Sequence, residues 1–221
     1  MLPYLSVFIH QYATSPPFPS LSERSCCHME TKDHLILADA ILSVSSDPIL
    51  IKNRSAFTFG CVEPDYNPLT YLRGIVKHKN FYGHHASHLK PYILNSISSF
   101  KAKGIHSVAD CFFLGTLTHY ISDSFTYPHT EQFVGSINDH VDYEKKFHLA
   151  FSERIHKITA DFKKIPSVSS WSNAQKLYLS LPPSVTKDLS YISSVCLSTV
   201  SELLSASLPL QSPRCSSASS L

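Results

Sequence analysis

Apolar residues recur at three- and four-residue intervals along most of this chain, and sustained two-residue alternation is absent. That spacing belongs to helices with one buried face. The pattern begins near Met29: Ile36, Ala38, Ala40, Ile41 and Leu42 predict a helix running to about Val44, capped by Thr31 or Asp33. A stretch rich in Pro, Asn and Asp follows and ends in FTFGCVEPDYNP, where Gly60, Pro64 and Pro68 read as turns. Helices are expected over about 69–77 and 86–103, with Pro91 in the early turns of the second, where a missing N–H costs least. Residues 107–124 carry Val108, Ala109, Phe112, Leu114, Leu117 and Ile121 and predict a largely buried helix. A loop over 125–138, an amphipathic helix over about 139–162 and helices near 172–180 and 184–205 complete the pattern. The fold class is all-α: a single multi-helix domain over 29–206, with residues 1–28 an irregular extension and 207–221 a Ser-rich tail too poor in apolar residues to stay ordered.

Composition narrows the partners. Only 16% of residues are charged, the net charge is +2 with His neutral, and no Lys/Arg run exceeds the pairs at 145–146 and 163–164. Sequence-specific nucleic-acid binding is therefore not expected. No apolar stretch reaches the length of a membrane span. Six Cys without a C-x2-C pair or a disulfide framework lean toward a reducing compartment. The start of the chain lacks the basic residues of a good export signal, so a cytoplasmic location is favoured over secretion.

The chemistry sits in LGTLTHYISDSFTYPHTEQFVGSINDHVDYEKKFH. Its spacing is H-x3-D-x5-H, then H-x3-E. Residues four apart share a helix face, so His119 with Asp123 and His140 with Glu144 each present two donor atoms to one point. His129, just after Pro128, can turn inward at the end of the first helix. On a solvated helix one such pair is an exposed ion pair of small value. On the apolar 107–124 helix these groups need a partner. Imidazole plus carboxylate is the ligand set of zinc or a similar divalent ion.

Five segments, HLILADAI, GCVEPDYNP, FYGHH, LGTLTHYISDSFTYPH and NDHVDYE, make the chain resemble the bacterial zinc-dependent phospholipases C, whose fold is shared with the single-strand-specific zinc nucleases. The likeness runs from about His34 to about His148, and it implies two or three zinc ions held among helices. Under it, Asp65, His84, His119 and Asp123 resemble the ligands of one ion, and His129, His140 and Glu144 those of a second. His34 resembles the His ligand of a third, bridged by Asp123. His78 is an alternative to His84, being closer to the family's Asp-to-His separation. Relatives complete the third site with an N-terminal Trp; here the single Trp is Trp171, which leaves another group such as His28 for that role. Asp65 is similar in position to the proposed general base. The acid at 144 is Glu, as in the phospholipases, where the nucleases use Asp.

The resemblance implies a hydrolase that cleaves phospholipids to diacylglycerol and a phosphorylated headgroup, with transient membrane-surface contact. The alternatives are a nuclease or small phosphodiesterase on the same fold, or a non-catalytic domain that metals only staple. Tyr66, Phe81, Tyr82, Phe125, Tyr127 and Phe133 flank the ligand segments, either as an apolar wall for acyl chains, as base-stacking platforms or as ordinary core. Glu63 is a candidate to orient a ligand imidazole, and Asp139 reads as a first-turn acid that favours the helix dipole.

Overall fold

The computed structural model describes Met29 and residues 31–67, 86–160 and 170–207. Among them are eight α-helices and no strand: α1 (Thr31–Val44), α2 (Pro48–Lys52), α3 (Arg54–Tyr66), α4 (Ala86–Lys103), α5 (Val108–Ser124), α6 (Ile137–Ala160), α7 (Trp171–Ser180) and α8 (Val185–Ser205). A 3-10 turn, Tyr127–His129, lies between α5 and α6. The expected helix over 69–77 and both terminal segments lie outside the described residues.

Local capping sets most boundaries. Ser107 and Asp110 form a reciprocal capping box at the start of α5. Ser136 and Asp139 repeat the exchange before α6: Asp139 Oδ2 accepts from the Ser136 N–H at 2.7 Å, and Ser136 Oγ accepts from the Asp139 N–H at 3.3 Å. Asp139 thus serves the helix terminus, as its position suggested. Ser170 and Ser184 cap α7 and α8. After α4 the chain turns through Gly104 at φ +74°, a left-handed conformation that costs glycine little.

The stretch between α1 and residue 68 departs from expectation. Where Gly60 and Pro64 read as turn residues, the chain forms α2 and α3, with Pro64 inside α3. Asp47 starts α2 by accepting the N–H groups of Ile49 and Leu50 at 2.9 and 3.0 Å. Gly60 serves packing rather than turning. A Cβ on Gly60 would lie 2.0 Å from the Phe112 carbonyl oxygen, and one on Gly115 would lie 2.1 Å from that of Phe57. Two glycines facing across the crossing let α3 and α5 meet backbone to backbone.

α5 is the hub, packing on α1, α3, α4 and α8. Thirteen of its 17 residues are buried; Val108 and Phe113 at its outer end are not. Its hydroxyls can be buried because each is satisfied locally: Thr116, Thr118, Ser122 and Ser124 donate to carbonyls three or four residues back. At its C-terminal end the Ser124 hydroxyl also accepts the indole N–H of Trp171 at 3.1 Å. The core around α5 includes Leu37, Ile41, Phe57, Leu114, Leu117, Phe147, Phe151 and Ile192.

Candidate metal centre

Four helices bring the candidate ligands inward: α1 carries His34, α3 Asp65, α5 His119 and Asp123, and α6 His140 and Glu144, while His129 ends the 3-10 turn. His34, His119 and Asp123 are fully buried, and His129, His140 and Glu144 are at most 7% exposed. They form two groups, His34/His119/Asp123 and His129/His140/Glu144, in each of which one donor atom per residue lies within 4.8 Å of the others. His84 and its alternative His78 lie outside the described residues, as do His28, Phe81 and Tyr82.

In the first group both imidazoles face one carboxylate. His34 Nε2 is 3.3 Å from Asp123 Oδ1, and His119 Nε2 is 3.3 Å from Asp123 Oδ2. The two rings stack at 3.9 Å. Their partners fix the tautomers. His119 Nδ1 donates to the Cys61 carbonyl at 2.8 Å, which leaves the lone pair on Nε2. The Ser122 hydroxyl spends its proton on the His119 carbonyl at 2.7 Å, so at 3.2 Å it accepts from His34 Nδ1. In the neutral rings both Nε2 lone pairs therefore point at a carboxylate. Such an arrangement is repulsive unless a proton or a cation lies between. Asp65 joins from α3, with Oδ1 3.7 Å from His119 Nε2, and neither of its buried carboxylate oxygens has a hydrogen-bond partner among the described residues.

In the second group one oxygen serves two imidazoles. Glu144 Oε1 is 2.9 Å from His140 Nε2 and 3.6 Å from His129 Nε2. The His129 and His140 rings meet edge to face at 5.4 Å.

The electrostatics tie the groups together. Burial works against a charge on His119, but Asp123 and Asp65 outweigh it and push its pKa up to about 9. Burial opposes ionisation of Asp123, yet His119 and His129 hold its carboxyl well below the usual range. Burial likewise opposes charging of His129, which Asp123 and Glu144 raise above its ordinary value. Asp123 therefore acts on imidazoles from both groups. The buried acids and imidazoles stabilise each other's charged forms, and the deprotonated rings would offer lone pairs to a divalent cation. The donor set of nitrogen and carboxylate oxygen fits zinc.

Several supports were not legible. The Cys61 carbonyl orients His119, a part considered for Glu63, but Glu63 instead accepts from Asn67 Nδ2 at 2.6 Å. A backbone acceptor leaves no trace in residue type. Ser122, three residues after His119 on a buried helix, was the one available signal for the hydroxyl that holds His34. His148 pairs with the fully buried Asp33. Among the flanking aromatics, Phe125 is core, wedged against Tyr178 and Tyr191. Phe133 lies 5.6 Å from the His140 ring, and Tyr66 is half exposed beside Asp65.

Comparison with curated proteins and with solved structures returned no match. The sequence profile of the zinc-dependent phospholipases C matches residues 33–184, which span the candidate ligands from His34 to Glu144, helices α2 to α7 and all but the first two residues of α1. On that match, with two clusters of imidazoles and carboxylates between its helices, the chain belongs to the zinc-dependent phospholipase C family.

Proposed function

We propose that this chain hydrolyses phosphodiester bonds and that its substrates are phospholipids, cleaved on the glycerol side to diacylglycerol and a phosphorylated headgroup. The observation that carries the reading is the pair of buried His/carboxylate groups sharing the field of Asp123. His34, His119, Asp123 and Asp65 are assigned to hold zinc on one side, with His84 joining them. His129, His140 and Glu144 are assigned to the other, for two or three ions in all. Zinc, when bound, neutralises phosphate charge and lowers the pKa of coordinated water.

The chain's own residues do the rest. His119 is held by the Cys61 carbonyl and His34 by the Ser122 hydroxyl, so neither ring must reorient when substrate arrives. Asp65 keeps carboxylate oxygens without hydrogen-bond partners among the described residues, and it is assigned to take the proton from the attacking water. Phe133, against His140, and the exposed ring of Tyr66 supply apolar surface on either side of the ligand groups. Glu at position 144 supports the lipid assignment over the nucleotide one, because the resembling nucleases carry Asp there.

The test is turnover of the zinc-loaded protein on mixed phospholipid vesicles, with single-stranded DNA and a chromogenic phosphodiester in parallel. Release of diacylglycerol is expected. Cleavage of the other two with lipids untouched would replace the lipid assignment by a nuclease or small phosphodiesterase, and no turnover on any would leave a metal-stapled helical domain. Asp65→Asn is expected to lower turnover by about 10²–10⁴-fold while zinc stays at the His129/His140/Glu144 group, as loss of a general base predicts.

A further inference from the structure

We propose that Asp188, on the first turns of α8, is a positioning residue for the His129/His140/Glu144 centre. It lies beyond the residues the family profile matches, 33–184. The inference rests on the zinc reading above.

Asp188 is fully buried, and both of its oxygens are used. Oδ2 accepts the backbone N–H of Tyr127 at 2.8 Å and the hydroxyl of Tyr143 at 2.8 Å. Oδ1 accepts the hydroxyl of Tyr178 at 2.7 Å. Tyr127 opens the 3-10 turn that ends at His129, and Tyr143 immediately precedes Glu144 on α6. One carboxylate on α8 thus bonds the segment carrying one ligand to the helix carrying the other two. The two tyrosine rings also meet each other, with centroids 5.5 Å apart. Cutting this tie removes the hydrogen bonds that join the 3-10 turn to α6 through α8 and none made by α1, α3 or α5. His129 Nε2 and Glu144 Oε1, 3.6 Å apart, are the atoms whose separation depends on it.

Lys187 completes the arrangement. Its ammonium lies 3.9 Å from the Tyr178 ring centroid and donates to the Tyr178 and Leu181 carbonyls at 3.3 and 3.2 Å. The cation therefore braces the end of α7 rather than capping Asp188, which leaves the carboxylate free to serve its three donors.

The experiment measures zinc affinity of the full chain by chelator competition in two backgrounds. His119→Ala leaves the His129/His140/Glu144 centre, and His140→Ala leaves the other. Asp188→Ala is expected to weaken binding about 10–100-fold in the first background, the usual effect of losing a group that orients a ligand. In the second the loss should be clearly smaller, because Asp188 makes no hydrogen bond to α1, α3 or α5, which carry that group's ligands. Asp188→Asn keeps an acceptor for the Tyr127 N–H and is expected to restore affinity. Equal losses in both backgrounds, or none in the first, overturn the proposal. Should Asp188→Ala fail to fold, Tyr143→Phe removes a single donor and must show the same selective weakening. If neither background binds zinc even with Asp188 intact, the metal reading fails and this proposal falls with it; selective failure at Asp188 leaves that reading standing.

Discussion

Asp123 is the residue on which the centre turns. Its two oxygens each face an imidazole, and its charge also reaches His129. The same field governs response to pH. With the His119 pKa pushed up from 6.5 to about 9, the protonated ring stabilises the metal-free fold. That contribution is complete below about pH 6.5 and is lost as pH rises through about 9. Urea unfolding of the metal-free protein should accordingly show stability falling across this window. The slope should be absent from zinc-loaded protein, where the ion replaces the proton. Because binding must expel that proton, zinc affinity at this group is expected to rise by about tenfold per pH unit until His119 is deprotonated. A flat affinity between pH 6 and 8 would remove His119 from the ligand set.

At the scale of elements, the crossing of α3 and α5 decides whether Asp65 reaches His119. Both glycines there face carbonyl oxygens of the partner helix, and backbone cannot yield as a flexible side chain can. Gly115→Ala should cost at least about 2 kcal/mol in denaturant unfolding. It should also weaken the Asp65/His119 side of the centre more than the His129/His140/Glu144 side. A neutral Gly115→Ala would mean that the helices do not pass this closely. The same crossing explains what was hard to read in the chain. The boundaries of α4, α5, α7 and α8 were legible because Ser107, Ser170, Ser184 and Gly104 act on neighbouring residues. The i,i+4 pairs 119/123 and 140/144 were legible because helix geometry alone brings their side chains together. α3 was not, since Gly60 and Pro64 are locally turn residues. Pro64 lacks the N–H that would bond the Gly60 carbonyl four residues back, and only packing on α5 makes helix the better choice there. Likewise nothing local marked the Cys61 carbonyl, whose partner His119 is 58 residues away, or the bond from the Tyr127 N–H to Asp188, which spans 61.

Over the whole molecule, the candidate ligands lie on α1, α3, α5, α6 and the 3-10 turn, so zinc bound there would also cross-link segments distant in sequence. Chelation should lower the melting temperature by on the order of 10 °C if free zinc had stood about a thousandfold above its dissociation constant. The helical signal should persist below the new midpoint, because the apolar core around α5 contains none of the candidate ligands. No helix among the described residues is long and apolar enough to cross a membrane. On the proposed function, exposed apolar side chains such as those of Tyr66, Phe113 and Val134 would be available for contact with a lipid surface.

The indole at position 171 has a practical consequence. It is the chain's one tryptophan, it is almost fully buried, and it leans on the hydroxyl next to Asp123 in sequence. The molecule thus has a single indole seated against the last turn of α5. Its emission should be blue in the folded protein and drift red on unfolding, so that the fall in midpoint on chelation can be followed by fluorescence without attaching a dye.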